Sequence, residues 1–319
     1  MKKKVLITGG SGTVGISFIK EFYERYHFVS YSRNEKKQIT LKRNFDDVKL
    51  YLGSVENRHE LINAFIKIKP DIVIHAAALK HIETGEKQPS QTVKVNILGS
   101  LNVIEASRSA GVPVTIGISS DKACGSNNVY GYTKIIMERL FLEADDDKNR
   151  FACCRFGNVA GSHGSVIPFW LTLAKENKPL LLTDADMNRF MFSPHDSACL
   201  IQKAIDIAEA HHGGFLLIKK MKSINMLELA KQISSNITIV GKRFGENLNE
   251  TLISVDELPF SREEGKYITI RMQKNLQDNQ LSKELNTLYA EKMDLEEIND
   301  LIQNVKENLN TTLLTTHAY

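Results

Sequence analysis

Short apolar runs alternate with longer stretches of helical spacing through the first half of the chain. Residues 5–8, 28–32, 48–52, 71–76, 114–119 and 151–156 each read as a buried strand. Between them, residues 14–26 set Ile16, Phe18, Ile19, Phe22, Tyr23 and Tyr26 on one helical face, and helices are predicted over 57–68, 90–110 and 130–145. Apolar strands separated by helices imply a parallel sheet covered on both faces, an α/β doubly wound (Rossmann) fold. After residue 158 the regularity falls. A helix over 198–210 and a strand over 215–218, returning to the sheet edge, precede a smaller mixed region with amphipathic helices at 281–290 and 294–309. Residues 311–319 are polar enough to fray. The pattern divides the chain into a dinucleotide-binding domain, 1–160, to which 190–220 return, and a substrate-binding lobe of 161–189 and 221–319.

Composition adds exclusions. At 319 residues the chain holds one large domain or a domain plus a lobe. A net charge of +3, with scattered basic residues, argues against nucleic acid. No apolar run approaches membrane-spanning length and no leader-like segment opens the chain, so a cytoplasmic protein is expected. Cys124, Cys153, Cys154 and Cys199 form no C-x-x-C pair, which fits reduced thiols and no metal site.

Candidate chemistry begins at Gly9-Gly10-Ser11-Gly12-Thr13-Val14-Gly15, which follows the first strand and opens the first helix. Small residues there let a pyrophosphate approach the backbone and the helix N-terminus. The second strand ends in Ser32-Arg33, with no acid to grip a ribose 2′-hydroxyl. Arg33, with Lys36 or Lys37 adding charge, suits a 2′-phosphate and favours NADP over NAD. Ala76-Ala77-Ala78 at the fourth strand's end leave room for the cofactor. Tyr130 and Lys134, four apart on a helix, share one face. A neighbouring ammonium lowers a phenol's pKa, so Tyr130 is expected to serve as a base toward a sugar hydroxyl.

These residues carry a resemblance. ITGGSGTVG (7–15), YSRNEKKQ (31–38), HAAALKH (75–81), SSDKACGSNNVYGYTK (119–134), RFGNVAGSHGSV (155–166), MNRFMFS (187–193) and GKRFGENLNE (241–250) resemble, in order, the extended short-chain dehydrogenase/reductases. More narrowly, they resemble the inverting UDP-N-acetylglucosamine 4,6-dehydratases of the polysaccharide biosynthesis proteins. The resemblance implies oxidation of a UDP-sugar at C4, elimination of the 6-hydroxyl and return of hydride to C6. It singles out Asp121-Lys122, where retaining dehydratases carry Asp-Glu. Lys122 is then the C5 base, which must be partly neutral, and Asp121 the acid, which must be protonated. It also implies Val55, Lys80 and Asn96 as cofactor residues, and Lys80, His81, Asn158, Arg189, Arg243 and Glu246 as substrate residues, with Lys80 a cation able to shift Lys122. The helices over 90–110 and 130–145 either pack only on the sheet or also form a homo-oligomeric bundle, as in relatives.

The sequence departs from the family pattern at Ser54, where Asp is usual after Gly53. It departs again at His163, at Asn188 before Arg189, and at Asn247 and Asn249 within Gly245–Glu250. These departures keep open an enzyme that makes or uses only a 5,6-ene. A UDP-sugar 4-epimerase needs no Asp121-Lys122 pair, and a non-enzymatic binding protein needs neither Tyr130 nor Lys134.

Overall fold

β1 (Lys4–Thr8) is buried along almost its whole length. It belongs to a nine-stranded sheet in the computed structural model, which describes residues 2–162, 164–210, 213–275 and 279–316. α1 (Thr13–Phe22), β2 (His27–Ser32), α2 (Glu35–Asn44), β3 (Lys49–Leu52), α3 (Arg58–Ile68) and β4 (Ile72–His75) complete the first alternating half. Then come α4 (Ile82–Lys87), α5 (Pro89–Val93), a π turn (Lys94–Leu98), α6 (Gly99–Ala110), β5 (Val114–Ser120), α7 (Val129–Ala144) and β6 (Arg150–Phe156). β7 (Asn158–Val159), α8 (Val166–Lys175), β8 (Leu180–Leu182), β9 (Asn188–Phe192), α9 (Pro194–Glu209) and β10 (Phe215–Lys219) follow. The remaining elements are β11 (Ser223–Asn225), α10 (Met226–Lys231), β12 (Ile237–Ile239), β13 (Thr251–Ile253), β14 (Ser261–Glu264), β15 (Tyr267–Arg271), β16 (Leu285–Asn286) and α11 (Leu295–Thr316).

The strand order is β14-β15-β10-β6-β5-β4-β1-β2-β3. Every pair from β3 to β10 is parallel, and β15 and β14 join antiparallel. The order reverses between β1 and β4, which opens a crevice at their carboxyl ends, where ligands of such sheets bind. The doubly wound fold read from the sequence is therefore present. No helix among the described residues is long and apolar enough to cross a membrane.

Several local expectations differ. Residues 215–218 lie inside the sheet, flanked by β6 and β15, because 261–271 fold back onto it instead of staying in the lobe. Residues 281–290 are not helical: Asn286 donates to Thr251 Oγ1 at 2.8 Å and β16 pairs with β13. The helix expected over 90–110 is split by the π turn. There the fully buried Asn96 side chain is held by the Leu79 backbone, accepting from its N–H at 2.8 Å and donating to its carbonyl at 2.9 Å. The outer face of this region leaves Leu98 and Leu101 exposed, with Tyr132 and Ile136 of α7. α11 runs to Thr316, past the point where fraying was expected to begin, and 317–319 lie outside the described residues.

A second apolar cluster underlies the lobe. Trp170 sits at its centre, 1% exposed, with Ile167, Leu180, Met191, Leu229, Ile298 and Ile302. The Trp170 indole donates to the Leu181 carbonyl at 3.0 Å.

Candidate active site

The glycine turn is built for close approach. A Cβ on Gly15 would lie 2.5 Å from the Gly10 carbonyl, and one on Gly9, which has a φ of +71°, would lie 2.9 Å from the Ala77 nitrogen. Gly12 makes no side-chain cap on α1, and the start of that helix lines the crevice. A cavity of about 470 Å³ lies here. Gly9, Ser11, Gly12, Thr13, Val14 and Gly15 line its floor, Ser32, Arg33 and Lys37 one end, and Ser54, Val55, Ala76, Ala77 and Ala78 its walls. Lys80, His81, Lys122, Tyr130, Lys134 and Asn158 line the opposite end. The shape and the uncapped helix fit a dinucleotide with its pyrophosphate on the turn.

Asn96 is the exception among the expected cofactor residues. Its amide is consumed by Leu79 and by the Thr133 hydroxyl, to which it donates at 3.0 Å, so it props the wall from behind. Arg33 meets Glu56 at 3.3 Å, and Ser54 donates to the same carboxylate at 3.1 Å. Nothing in the sequence pattern had marked Glu56.

Tyr130 sits in the first turn of α7, where Asn128 accepts from the Gly131 N–H at 2.9 Å and Glu86 from that of Val129 at 2.7 Å. A Cβ at Gly131 would lie 2.1 Å from the Lys122 carbonyl, so glycine there lets the helix and the Asp121-Lys122 turn pack together. Lys134, four residues on, is buried and donates to the Ile118 carbonyl at 2.6 Å. Burial lowers its pKa to about 8, against the pull of Cys153 and Glu138. The phenol does not show the expected downward shift: burial pushes Tyr130 up to about 12, opposed by a hydrogen bond with Ser120 and by the charge of Lys122. His75, assigned no chemistry, is buried between Thr8 and Ser100, and burial lowers its pKa to about 3.

Asp121 and Lys122 form a contact, but their placement differs. Lys122 Nζ donates to Asp121 Oδ1 at 2.9 Å and Oδ2 at 3.1 Å, and approaches Asn158 Oδ1 at 3.4 Å. Lys122 faces the cavity, whereas Asp121 is fully buried behind it and off the cavity wall. Ser120 bridges the gap, donating to Asp121 Oδ1 at 2.8 Å while it lines the cavity beside Tyr130. The sequence reading took Ser120 only as a strand end. Nor is Lys122 poised as a neutral amine. Burial pulls it down, but Asp121 and Glu250 outweigh burial and hold it above the usual lysine range. Glu250 was missed altogether. It is 4% exposed, with Oε1 3.4 Å from Lys122 Nζ and 3.5 Å from Arg189 Nε. The second cation beside Lys122 is thus Arg189, while Lys80 reaches Ser162 Oγ at 3.5 Å.

A neighbouring cavity of about 280 Å³ shares Asn158 and Val159 with the first and is lined by Arg189, Arg243, Glu246 and apolar residues around Trp170. His81, on the first cavity's wall, packs toward Gly164, whose Cβ would lie 3.0 Å from its Cε1. Two departures from the family pattern meet here: Asn188 donates to Asn249 Oδ1 at 3.0 Å. Asn247 accepts from Asn127 at 2.8 Å, while His163 lies outside the described residues.

The family model described as polysaccharide biosynthesis protein matches residues 5–272. A UDP-N-acetylglucosamine 4,6-dehydratase (inverting) of Campylobacter jejuni subsp. jejuni serotype O:23/36 is 36% identical over 298 residues, 90% of this chain and 88% of that protein. A UDP-glucose 4-epimerase of Rickettsia bellii is 34% identical over 85% of this chain and 83% of its own length. The X-ray structure of Pen from Bacillus thuringiensis, 31% identical, superposes with a TM-score of 0.87 over 95% of this chain and 97% of that one. Matches of this extent, over a doubly wound sheet with a tyrosine and lysine one helical turn apart, make the chain a member of the polysaccharide biosynthesis protein family, a nucleotide-sugar enzyme of the short-chain dehydrogenase/reductase type.

Proposed function

We propose that this protein is a C5-inverting UDP-N-acetylglucosamine 4,6-dehydratase that uses NADP. The observation that carries the reading is the Lys122 ammonium, 2.9 Å from a buried carboxylate and on the wall of the cavity that Tyr130 also lines. An epimerase needs only the tyrosine and lysine; this second charged pair suits an elimination. The similarity to an inverting dehydratase over 90% of the chain supports the same substrate.

NADP, when bound, supplies the hydride acceptor for C4 and the hydride donor for C6. The glycine turn would hold its pyrophosphate, and Ser32, Arg33 and Lys37 its 2′-phosphate. Arg189, Arg243 and Glu246 line the neighbouring cavity, where a UDP group with its diphosphate would lie.

Tyr130, once its phenol has given its proton to solvent, takes the proton of the 4-hydroxyl. Lys122, once neutral, removes the C5 proton made acidic by the C4 ketone. Asp121 does not reach the cavity itself; as the acid it takes up a solvent proton and relays it to the departing 6-hydroxyl through Ser120, whose hydroxyl lies 2.8 Å from its carboxylate. C5 is then reprotonated from the opposite face. The free thiols at Cys124, Cys153, Cys154 and Cys199 suit a reducing compartment, which fits a cytoplasmic setting. Incubating the protein with NADP and UDP-N-acetylglucosamine tests the reading by mass: a product lighter by one water supports it, and an isomer of unchanged mass refutes it.

A further inference from the structure

The base must lose a proton before it can work, and the structure sets it between two carboxylates, those of Asp121 and Glu250. We propose that Glu250 takes that proton, and that binding of the substrate's diphosphate at Arg189 triggers the transfer. The proposal rests on the dehydratase reading above and extends it to a residue that the sequence motifs left without a role.

The geometry is a relay between the two cavities. Arg189 lines the cavity assigned to the UDP group, and Lys122 lines the cavity of Tyr130. Glu250 stands between them on one oxygen, 3.5 Å from Arg189 Nε and 3.4 Å from Lys122 Nζ. Its backbone is fixed from the lobe side: its N–H donates to Thr287 Oγ1 at 2.9 Å, and its carbonyl accepts from the Thr287 N–H at 2.9 Å. Glu250 precedes β13, which packs against the turn carrying Asp121 and Lys122. The charged and titratable groups facing this pair are Asp121, Arg189 and Tyr130.

The sign follows from elementary electrostatics. A carboxylate that loses a neighbouring cation binds its proton more tightly, more so when buried. Burial already raises Glu250 above the usual glutamate range, and Asp121 adds to this, against the pull of Lys122 and Arg189. A diphosphate that draws the Arg189 guanidinium onto its own oxygens removes one opposing cation. An N–H bond on Lys122 then breaks and an O–H bond on Glu250 Oε1 forms, turning an ion pair into a neutral amine and acid. The amine takes the C5 proton and becomes the ammonium of the resting ion pair again. When product leaves and Arg189 returns, Glu250 releases its proton to water, and the count closes with the solvent proton added to C5. The trigger confines an unprotonated amine to the substrate complex.

Three proteins, wild type, Glu250→Gln and Glu250→Asp, are compared with NADP and UDP-N-acetylglucosamine in deuterium oxide. C4 oxidation is read from transient absorbance of reduced nicotinamide, and C5 exchange from NMR. In Glu250→Gln, C4 oxidation should stay within about threefold of wild type while C5 exchange falls about 100-fold, the scale of a lost proton-transfer partner. That exchange should recover toward alkaline pH, where hydroxide takes the lysine proton, and Glu250→Asp should restore part of it at neutral pH. C5 exchange at the wild-type rate or faster in Glu250→Gln overturns the proposal. So does an equal loss of both steps in Glu250→Asp, which stands in if the glutamine variant melts early, because that pattern marks a structural role. A wild type that oxidises C4 but never exchanges C5 overturns the dehydratase reading instead.

Discussion

Lys122 Nζ lies 2.9 Å from Asp121 Oδ1, and the lysine, not the aspartate, reaches the cavity. In the proposed mechanism the pair divides its work, with Lys122 acting on the sugar and Asp121 relaying a proton from behind. Asp121→Asn keeps the shape but removes the transferable proton. Dehydration should fall by about 10²–10⁴-fold while C4 oxidation persists. Tyr130→Phe should lose C4 oxidation first, and every later step with it. Reduced-nicotinamide absorbance separates the two; loss of that signal in Asp121→Asn contradicts the division.

Lys134 gives a pH signature. Its pKa in the fold is lowered to about 8, mainly by burial. Between that value and the unfolded lysine's, about 10.4, the unfolded chain binds the extra proton, so this residue makes stability rise with pH across the window. Below it the lysine is charged in both states and its burial counts against the fold. Thermal melting of wild type should therefore improve from about pH 8 to pH 10 relative to Lys134→Met. Parallel melting curves for the two proteins would show that Lys134 is not the titrating group.

Arg33 tests the assignment of the cofactor's 2′-phosphate. Its partner in the structure is Glu56, at 3.3 Å and near the surface, a pairing weak enough for a phosphate to displace. Arg33→Ala should raise KM for NADP about tenfold and leave KM for NAD nearly unchanged, the scale of one lost charge-assisted contact. An equal change for both cofactors contradicts the assignment.

Arg155 is the largest buried charge in the fold. It is 1% exposed, meets Glu138 and Glu257 at 2.8 Å each, and donates to the Leu252 carbonyl at 2.7 Å. Those contacts tie α7, which carries Tyr130, to the segment that follows Glu250. Arg155→Met leaves two buried carboxylates without their cation and should cost roughly 3–5 kcal/mol. Burial would raise Glu257, but Arg155 outweighs it and holds the carboxyl below the usual range. Its stabilisation is thus present above the unfolded value, about 4.3, and is lost as pH falls through the folded one. The melting gap between wild type and variant should therefore narrow on acidification. A constant gap would mean the carboxylates are not what the arginine compensates.

The fold was largely legible because most strands of the parallel sheet, the edge strand β3 excepted, are buried on both faces and read as apolar runs. The glycine turn was legible because close backbone approach at Gly9 and Gly15 permits little else. What escaped depends on contacts between distant segments. Ser120, Glu56 and Glu250 have no local signature, and their roles appear only when the chain brings Tyr130, Arg33 and Lys122 beside them. The bonds of Asn96 depend on distant segments too: the Leu79 backbone and the Thr133 hydroxyl hold its side chain. The helix expected over 281–290 failed because Leu281, Leu285 and Leu288 have helical spacing, while Asn286 and Thr287 engage the segment around Glu250. Asn188 and Asn249 looked like two separate losses in the sequence, and in the fold they hydrogen-bond each other.

The stereochemistry at C5 tests the central claim most directly. The protein is incubated with UDP-N-acetylglucosamine in deuterium oxide and the sugar is followed by NMR. The account predicts a 6-deoxy-4-keto sugar that carries deuterium at C5 in the L configuration. A galacto-configured sugar with its C5 hydrogen intact, or an exocyclic alkene as the end product, would contradict it.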